Sequence, residues 1–322
     1  IELLGSVLSI ISDQAVGGER LSRKNVLKIA LEKYKGRVKA VMLVHLYGTP
    51  SKIDEIKALC DEYGVILIED AAESLSATYK GRQTGTFGKY NAISFNGNKI
   101  ITGSSGGMFL TDDFKGAEKV RKWSTQSRDN APWYQHSELG YNYRMSNVCA
   151  GIGRGQMTVL DKHIAHHKHV QALYEELLKD VKGVHIHKQP ADPRYDANFW
   201  LCTATIDEDV KVKGQENVYK EVIKTAVGGA AGVIKAVESA TTDCQPNDNV
   251  EALRVYLLNA KIEARPVWKP MHKQPVYKNA PAYINGVSED VFKVGMCLPA
   301  GPYVTDEDVR YIVETIKSAI VR

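Results

Sequence analysis

The sequence is poor in cysteine and contains no long apolar run. Its five cysteines, Cys60, Cys149, Cys202, Cys244 and Cys297, are scattered and free of C-x-x-C spacing. This pattern fits a reducing cytoplasm, where disulfide frameworks are rare. The longest apolar runs, such as VMLVHLYG, have the length of a strand and fall far short of the ~20 residues that a transmembrane helix needs. We therefore expect a cytoplasmic location and no membrane partner.

Stretches dominated by charge of one sign are also absent. The chain has 42 basic and 38 acidic residues, mixed along its length, for a net charge of +4. Without a dense basic tract, no nucleic-acid partner is predicted. The small positive balance is compatible with an anionic small substrate. With 43% hydrophobic and 25% charged residues in 322, the composition is that of an ordinary globular chain, which argues against disordered and fibrous classes.

Helix and strand patterns alternate through the first half of the chain. The segment LSRKNVLKIALEKY has apolar residues at helical spacing, and the run 38–46 after it has the β-branched content of a buried strand. The segment SKIDEIKALCDEYG predicts a second helix, with Ser51 and Asp54 as a capping box and Gly64 as its C-terminal stop. The strand VILIED follows. Buried strands that alternate with helices predict a sheet of parallel strands covered on both faces.

The remaining patterns predict two domains. Strand candidates NAISFN and GGMFLTD and a helix over 114–127 belong to a large domain at residues 1–155. A long amphipathic stretch from Met157 to Leu178 then leads into a smaller C-terminal domain, so that residues 156–322 comprise the linker helix and this domain. There, HIHKQ, FWLCTATID and IEARPVW predict strands, and 305–320 predicts a closing helix. The Ala/Gly-rich stretch at 225–243 is interpreted as a loop or insertion.

Two residues of the large domain suggest chemistry. Asp70, next to Glu69, ends a buried strand at the edge where open α/β sheets bind ligands, although a carboxylate that caps the next helix fits the same position. Lys99 follows SFNGN and precedes a Gly/Ser-rich turn, although a lone lysine is usually solvated. A lysine amine forms Schiff bases with carbonyls, and a carboxylate keeps a pyridine nitrogen protonated. Together these are the essentials of pyridoxal-phosphate chemistry.

Several ordered motifs make the sequence recognisable. They are HLYGTP, IEDAAES, GRQTGTFGKYNAISFNGNK, GSSGGM, GYNYRMSN, EARPVWKPMH and CLPAGP. Over nearly the whole chain they resemble the DegT/DnrJ/EryC1/StrS family of sugar aminotransferases. The resemblance implies an α/β fold of the aspartate-aminotransferase-like fold type I of pyridoxal-phosphate transferases, with a mixed, mostly parallel sheet in the large domain and a smaller α+β domain. It also implies pyridoxal 5'-phosphate as the cofactor.

The same resemblance implies an activity and a partner. The activity is transfer of an amino group from glutamate to a keto-sugar nucleotide for cell-surface glycan biosynthesis. The segments SFNGNKIIT and WYQHSELGYNYRMSN are most similar to enzymes that aminate C4 of UDP-linked 4-keto-6-deoxy-N-acetylhexosamines. The implied partner is a second copy, in a homodimer with shared active sites.

Three alternatives compete with this activity. One is a related pyridoxal-phosphate enzyme that acts at C3, and another is a truncated, non-catalytic homologue. The third is a sugar dehydratase of the same family. Because the known dehydratases of this kind carry a histidine at the lysine position, Lys99 argues against that reading.

Roles for individual residues follow from the resemblance alone. It makes Lys99 the cofactor lysine and general acid/base, and it makes Asp70 the partner of the pyridinium nitrogen. Residues implied near the cofactor are Glu73, beside its ring hydroxyl, Ser94 and Asn96, which face the phosphate or the substrate, and Asn142, which reaches the phosphate of the neighbouring subunit. Residues implied to contact the substrate are Trp133, Tyr134, Arg144 and His272.

The start of the chain departs from this pattern. Members of the family carry a Gly-Thr phosphate loop and a ring-stacking aromatic residue ahead of the point where this chain starts, so the chain is expected to be N-terminally incomplete and to bind its cofactor more weakly. Separately, four histidines at 163, 166, 167 and 169 have a spacing that could place two imidazoles on one helical face. No glutamate, cysteine or other ligand converges with them nearby in the sequence, so a solvated linker helix is preferred and no metal site is predicted.

Overall fold

The computed structural model describes residues 7–11, 23–219 and 244–321, and the chain divides into two compact units. Unit 1 contains residues 7–11, 23–169 and 189–200, and unit 2 contains residues 170–188, 201–219 and 244–321. Residues 189–200 thus return to unit 1. The division into domains at 1–155 and 156–322 stays a prediction. The Ala/Gly-rich stretch at 225–243, interpreted as a loop or insertion, lies outside the described residues.

The strands of the described chain are short, with two to five residues each. In chain order they are β1 Val7–Ile11, β2 Ala40–Val44, β3 Ile66–Asp70, β4 Thr78–Tyr79, β5 Arg82–Gln83, β6 Tyr90–Ser94, β7 Gly107–Leu110, β8 Val184–Ile186, β9 Tyr195–Asp196, β10 Cys202–Ile206, β11 Arg265–Pro266 and β12 Gly295–Leu298. The small β4, β5 and β9 form a separate three-stranded sheet in unit 1.

The described α-helices have 8 to 19 residues. They are α1 Arg23–Lys33, α2 Ile53–Tyr63, α3 Phe114–Ser124, α4 Asn147–Met157, α5 Leu160–Leu178, α6 Asp248–Asn259, α7 Val287–Val294 and α8 Asp306–Ala319. Within the described ranges, none of these helices combines the length and the apolar content that crossing a bilayer requires.

Unit 1 is built on a five-stranded sheet in the order β1-β2-β3-β6-β7. The first four strands are parallel, and β7 pairs antiparallel with β6 at the edge of the sheet. Val41 and Leu43 of β2 are fully buried in one apolar cluster with Leu31 of α1 and Ile56 of α2. The prediction of a mostly parallel sheet is therefore confirmed. Because β2, β3 and β6 run in the same direction, the residues that follow them meet at one edge of the sheet.

Helix α2 forms where the sequence predicts it, but its start differs. Gly64 ends the helix in the left-handed conformation at φ 65°, as predicted. The predicted capping box is wrong, because α2 begins at Ile53 and has no side-chain cap. Ser51 is instead buried, and its hydroxyl donates to the carbonyl of Val44 at 2.9 Å. This serine ties the start of α2 to the end of β2.

Helical boundaries after residue 110 also differ from the prediction. Helix α3 ends at Ser124 rather than at residue 127, because Gln126 and Ser127 adopt left-handed backbone conformations at φ 67° and 51°. The amphipathic stretch predicted from Met157 is preceded by a separate helix, α4. Ser146 caps α4 by accepting a hydrogen bond from the backbone N–H of Cys149.

Unit 2 contains a four-stranded antiparallel sheet in the order β11-β12-β10-β8. The predicted strand FWLCTATID contains β10, HIHKQ shares only His185 and Ile186 with β8, and IEARPVW contributes only the two residues of β11. Strand β12 was not predicted from the sequence, although all four of its residues are buried. The closing helix is confirmed as α8, which begins with a capping box between Thr305 and Asp308 and packs Val309 and Ile316 into the core.

Candidate functional site

The parallel strands of unit 1 bring together the residues that follow them. Val44, the last residue of β2, pairs with Asp70, the last of β3, and Asp70 pairs with Ala92 of β6. Glu73 follows β3 closely, and Lys99 lies in the turn after β6. The edge at which open parallel sheets usually bind ligands therefore carries an amine and two carboxylates.

Lys99 lies in a largely buried position. Its Nζ is 3.9 Å from Oε1 of Glu73 and 4.0 Å from the centroid of the Trp200 ring. Burial disfavours the charged ammonium and lowers the pKa of Lys99, while the carboxylates of Glu73 and Asp70 oppose that change. A lysine with a lowered pKa has more of the neutral amine, which is the form that attacks carbonyls.

Glu73 is the most perturbed carboxyl group at this edge. Burial raises its pKa to about 7, against the lowering effects of the Tyr47 backbone N–H and of Lys99. The Tyr47 N–H donates to Oε2 at 2.6 Å, and Tyr47 has a left-handed φ of 56°, which is uncommon for a residue other than glycine. Glu73 can therefore exist in either protonation state near neutral pH. Its predicted contact with a cofactor ring hydroxyl stays a prediction.

The other predicted cofactor residues at this edge are more exposed. Oδ1 of Asp70 accepts the backbone N–H of Ala72 at 3.1 Å. Oγ of Ser94 accepts the N–H of Asn96 at 3.2 Å, and Nδ2 of Asn96 donates to Oδ1 of Asn98 at 3.4 Å. The structure thus places Asp70, Ser94 and Asn96 near the turn that carries Lys99. Their roles toward a cofactor stay predictions.

Glu69, the neighbour of Asp70, has a structural role. It is fully buried and accepts hydrogen bonds from Nε2 of His45 at 2.8 Å and from the N–H groups of Gly85 and Gly88 at 2.9 and 2.8 Å. Nδ1 of His45 accepts the N–H of Ser51, so Nε2 carries the ring proton. Burial raises the pKa of Glu69, but these hydrogen bonds outweigh it and lower that pKa below the ordinary value. The ionised Glu69 therefore anchors the turn at residues 85–88.

Sequence analysis missed Trp200, which contacts Lys99 from the segment that returns to unit 1. Its Nε1 donates to the carbonyl of Asn98 at 2.7 Å, and its backbone N–H donates to Oδ1 of Asn198 at 2.9 Å. Nδ2 of Asn198 donates to the carbonyl of Glu73 at 2.9 Å. The segment FWLCTATID has the pattern of a strand, and no local signal distinguishes its tryptophan.

Two histidines of α5 support the same region. Nδ1 of His163 donates to the carbonyl of Ile100 at 2.9 Å, and Nδ1 of the buried His167 donates to the carbonyl of Phe199 at 3.0 Å. Burial lowers the pKa of His167 to about 4, so its ring is neutral at pH 7. The interpretation of a solvated linker helix is therefore wrong for His163 and His167, whereas His169 on the same helix is exposed. No three His, Cys, Asp or Glu side chains of the described residues converge as ligands for a metal ion.

Four predicted site residues lie on the loop that follows α3. Trp133, Tyr134, Asn142 and Arg144 are all exposed there. Asn142 forms a β-bridge with Thr125, and the N–H of Arg144 donates to the carbonyl of Ser124 at 3.1 Å. The Arg128 guanidinium lies 4.2 Å from the centroid of the Tyr134 ring. The loop is thus attached to the end of α3, and its four predicted residues are accessible in this chain.

His272 lies in unit 2 and pairs with a carboxylate of α7. Its Nε2 donates to Oε1 of Glu289 at 2.8 Å, and Nζ of Lys273 lies 3.3 Å from Oε2 of the same group. The hydrogen bond from His272 and the charge of Lys273 lower the pKa of Glu289, against the effect of burial. The predicted contact of His272 with a substrate stays a prediction.

Comparison with known proteins identifies relatives for most of the chain. The model of the DegT/DnrJ/EryC1/StrS aminotransferase family matches residues 25–237 and 235–317. EpsN of Bacillus subtilis (strain 168), which carries the name of a pyridoxal phosphate-dependent aminotransferase, is 40% identical over 285 residues, 86% of this chain and 62% of EpsN. GDP-perosamine synthase of Escherichia coli O157:H7 is 30% identical over 285 residues, 88% of this chain and 66% of the synthase. The chain therefore spans less than two thirds of the length of either relative.

A solved structure shows the same fold. The DegT DnrJ EryC1 StrS aminotransferase from Brucella abortus superposes with a TM-score of 0.71 at 21% identity, over 98% of this chain and 79% of that chain. The predicted α/β fold of the fold type I transferases, with its mixed and mostly parallel sheet, is confirmed by this likeness and by the strand order of unit 1.

Proposed function

The chain belongs to the DegT/DnrJ/EryC1/StrS aminotransferase family, and from this membership and the Lys99 site we propose that it transfers an amino group from glutamate to a keto-sugar nucleotide with pyridoxal 5'-phosphate as cofactor. The observation that carries the proposal is the position of Lys99. Its amine, with a lowered pKa, lies 3.9 Å from Glu73 and within the electrostatic influence of Asp70.

The residues present at the sheet edge fit this cofactor. The amine of Lys99 has the lowered pKa that bond formation to an aldehyde needs. Asp70 offers a partly exposed carboxylate at the end of β3 for a ring nitrogen. Glu73, with a pKa of about 7, can donate to or accept from a ring hydroxyl. Ser94, the last residue of β6, and Asn96, just after it, offer a hydroxyl and an amide for an anionic group.

Each of these residues has a defined task in the proposed reaction. When bound, pyridoxal 5'-phosphate supplies a carbonyl that accepts the amino group and a ring that withdraws electrons from the neighbouring carbon. The amine of Lys99 would hold the cofactor by bonding to its carbonyl carbon with loss of water, and the free amine would serve as the base and acid that moves the transferred proton. The carboxylate of Asp70 would keep the cofactor's ring nitrogen protonated. Trp200 covers the amine on one side and excludes water there.

Within this function, we propose C4 of a UDP-linked 4-keto-6-deoxy-N-acetylhexosamine as the acceptor. The exposed rings of Trp133 and Tyr134 offer stacking surfaces, and the guanidinium of Arg144 suits a diphosphate. His272 is a further proposed substrate contact. The name of the E. coli relative points to a GDP-linked sugar, so the nucleotide is the part of this proposal that most needs a test.

We also propose that the chain acts as a cytoplasmic homodimer with shared active sites. Large apolar side chains are exposed at high density between residues 108 and 157, which is typical of an interface. They are Met108, Phe109, Phe114, Trp123, Trp133, Tyr134, Leu139, Tyr141, Tyr143, Val148, Ile152 and Met157. Asn142 lies among them, where the neighbouring subunit's cofactor phosphate is its proposed partner.

Light scattering tests the dimer. It should give twice the chain mass for wild type, Leu139→Asp should halve that mass, and Tyr303→Asp in unit 2 should leave it unchanged. A monomer at all concentrations contradicts the dimer.

The cofactor proposal is tested on the purified chain. After incubation with pyridoxal 5'-phosphate and reduction with borohydride, peptide mapping should find the cofactor mass on Lys99. Lys99→Arg should abolish this label. Lys89→Arg is the matched control, because Lys89 is a half-exposed lysine of the same unit, with its Nζ 3.8 Å from Asp113. Labelling at other lysines without Lys99 contradicts the proposal.

The substrate is tested separately, with glutamate and a panel of UDP-, GDP- and TDP-linked 4-keto sugars. Mass spectrometry should detect 2-oxoglutarate and an amino sugar with the UDP-linked acceptor. A preference for the GDP-linked acceptor overturns the nucleotide assignment and leaves the amino transfer standing. No transfer to any acceptor by protein that carries the Lys99 label contradicts the aminotransferase proposal.

A further inference from the structure

We propose that Trp200 is a positioning residue for Lys99: its indole N–H fixes the peptide before the lysine, and its ring face supports the lysine amine beside Glu73. The inference rests on the proposed function in one respect. A lysine that alternates between being bonded to a cofactor and moving protons needs a defined position for its released amine. Trp200 and Glu73 form the two sides of that position.

The backbone around Lys99 is held by hydrogen bonds to the carbonyls of its two neighbouring residues, Asn98 and Ile100. Nε1 of Trp200 donates to the carbonyl of Asn98 at 2.7 Å, and Nδ1 of His163 donates to the carbonyl of Ile100 at 2.9 Å. The N–H of Lys99 itself donates to the carbonyl of Asn96 at 3.1 Å. Two aromatic N–H groups from distant parts of unit 1 thus bond the carbonyls on either side of the lysine, which restricts where its side chain can start.

The amine of Lys99 is held at the other end of the side chain. The face of the Trp200 ring lies 4.0 Å from Nζ, and Oε1 of Glu73 lies 3.9 Å from it. An aromatic face attracts an ammonium group through its quadrupole, and the attraction is stronger where water is excluded. The carboxylates of Glu73 and Asp70 also favour the ammonium. Trp200 is buried, so its ring presents a fixed surface to the amine.

One asparagine ties Trp200 to Glu73. Oδ1 of the buried Asn198 accepts the N–H of Trp200, and Nδ2 of Asn198 donates to the carbonyl of Glu73, each at 2.9 Å. His167 bonds the carbonyl of the intervening Phe199, whose φ is 51°. The two groups that face the Lys99 amine are therefore connected through a single side chain, and their separation is set by it.

The test measures the Lys99 amine without any cofactor. Cofactor-free protein is labelled competitively with acetic anhydride across a pH range, and the Lys99 peptide is quantified by mass spectrometry. Trp200→Leu should lower the pH midpoint of Lys99 labelling by about half to one unit, because an apolar side chain replaces the ring that favours the ammonium. Trp200→Phe keeps a ring and should shift the midpoint less. A Lys99 midpoint that is unchanged or higher in Trp200→Leu overturns the proposal.

Hydrogen exchange tests the peptide anchor and covers the case in which Trp200→Leu does not fold. Trp200→Phe removes the bond to the Asn98 carbonyl, so the Lys99 amide should exchange about fivefold faster. Trp123→Phe is the matched control, because it removes one indole bond, to Glu138 at 3.1 Å, away from Lys99. If the Lys99 amide exchanges at the same rate in wild type and in Trp200→Phe, the indole bond does not restrain the peptide before Lys99. The same conclusion follows if Trp123→Phe accelerates exchange of the Lys99 amide equally.

The two proposals fail in different ways. If borohydride fixes no cofactor onto Lys99 while the labelling midpoint shifts in Trp200→Leu, the proposed function fails and the positioning by Trp200 stands. If Lys99 carries the cofactor and neither its midpoint nor its amide exchange responds to Trp200, the positioning role fails alone.

Discussion

Nζ of Lys99 lies 3.9 Å from Oε1 of Glu73, and the two side chains are only 12% and 6% exposed. Burial lowers the pKa of Lys99 and raises the pKa of Glu73 to about 7, in both cases against their mutual attraction. The pKa values of the two groups are therefore closer together than those of a solvated lysine and glutamate. A proton moves between groups of similar pKa at low cost, which suits a lysine proposed as a general acid and base.

Glu73→Gln is expected to change how stability depends on pH. The pKa of Glu73 is about 7 in the folded chain, above the ~4.3 of an unfolded glutamate, so the folded state holds this proton more tightly. The contribution of Glu73 to wild-type stability should then fall as pH rises from about 4 through 7, by on the order of 3 kcal/mol. Glutamine has no proton to lose, so Glu73→Gln should remove this loss of stability with rising pH. Urea unfolding at pH 5 and pH 8 measures the unfolding free energy of both proteins.

The exposed Glu314 provides the control for that measurement. Glu314 forms a surface ion pair with Lys317, with Oε1 at 2.9 Å from Nζ. Glu314→Gln should change the unfolding free energy little at either pH, because surface pairs contribute only ~0–1 kcal/mol. If Glu73→Gln and wild type lose equal stability between pH 5 and pH 8, the raised pKa of Glu73 is refuted.

His45→Ala is expected to destabilise unit 1 strongly. The fully buried Glu69 would lose the hydrogen bond from Nε2 of His45, and the N–H of Ser51 would lose its acceptor. Leaving buried polar groups unpaired costs roughly 1–3 kcal/mol for each, so the loss of partners for these two groups should lower the free energy of unfolding by about 2–6 kcal/mol. Chemical denaturation measures this loss.

The matched control is His185→Ala. His185 also pairs with a carboxylate, that of Asp207 at 3.0 Å, but both side chains are largely exposed. Its removal should cost less than ~1 kcal/mol. Comparable losses for the two histidine variants would show that burial does not determine the contribution of such a pair here.

Gly48→Ala should disturb the Lys99 region from a distance. Gly48 has a φ of 90°, and an added Cβ would lie 1.7 Å from Oδ1 of Asn198, the atom that accepts the N–H of Trp200. Alanine therefore forces Asn198 to move, and the midpoint of unfolding should occur at a markedly lower urea concentration than in wild type. Gly64 also has a left-handed backbone, at φ 65°, but an added Cβ would have no atom near it. Gly64→Ala should therefore lower the free energy of unfolding by only about 1 kcal/mol. Equal midpoints for the two variants would contradict the clash.

Elements with a local pattern could be predicted from the sequence. Strands β2 and β3 and helix α2 follow from apolar periodicity, because each buries side chains at the spacing of its own backbone. The parallel order of the strands then places Asp70 near the turn that carries Lys99, as the resemblance also implies. This much of the site depends on residues that lie close together in the sequence.

The support around Lys99 could not be predicted in that way. Trp200 and Asn98 are 102 positions apart, and His163 and Ile100 are 63 apart. Both bonds run from a side chain to a backbone carbonyl, so the accepting residue carries no recognisable side-chain signal. Ser51 shows the converse: its position suits a helix cap, but a tertiary bond to Val44 replaces the local one.

His167→Gln is expected to reduce the sensitivity of unit 1 to acid. The pKa of His167 is lowered to about 4, by burial and then by His166 and His163, and the hydrogen bond to Phe199 only partly opposes this. An unfolded histidine has a pKa of ~6.5, so the unfolded chain binds the proton more readily. The wild-type contribution is therefore present above pH 6.5 and is lost as pH falls toward 4, by on the order of 3 kcal/mol.

The variant should be less stable than wild type at pH 7.5, because glutamine fills the ring volume poorly, but the difference should narrow at pH 5. Urea unfolding at the two pH values measures it, and His169→Gln, an exposed position on the same helix, should show no such narrowing. A constant difference between His167→Gln and wild type would mean that His167 does not titrate in this range. If the difference in unfolding free energy narrows at pH 5, protonation of His167 contributes to the acid sensitivity of unit 1. His167 is the residue that bonds the carbonyl of Phe199, the neighbour of Trp200.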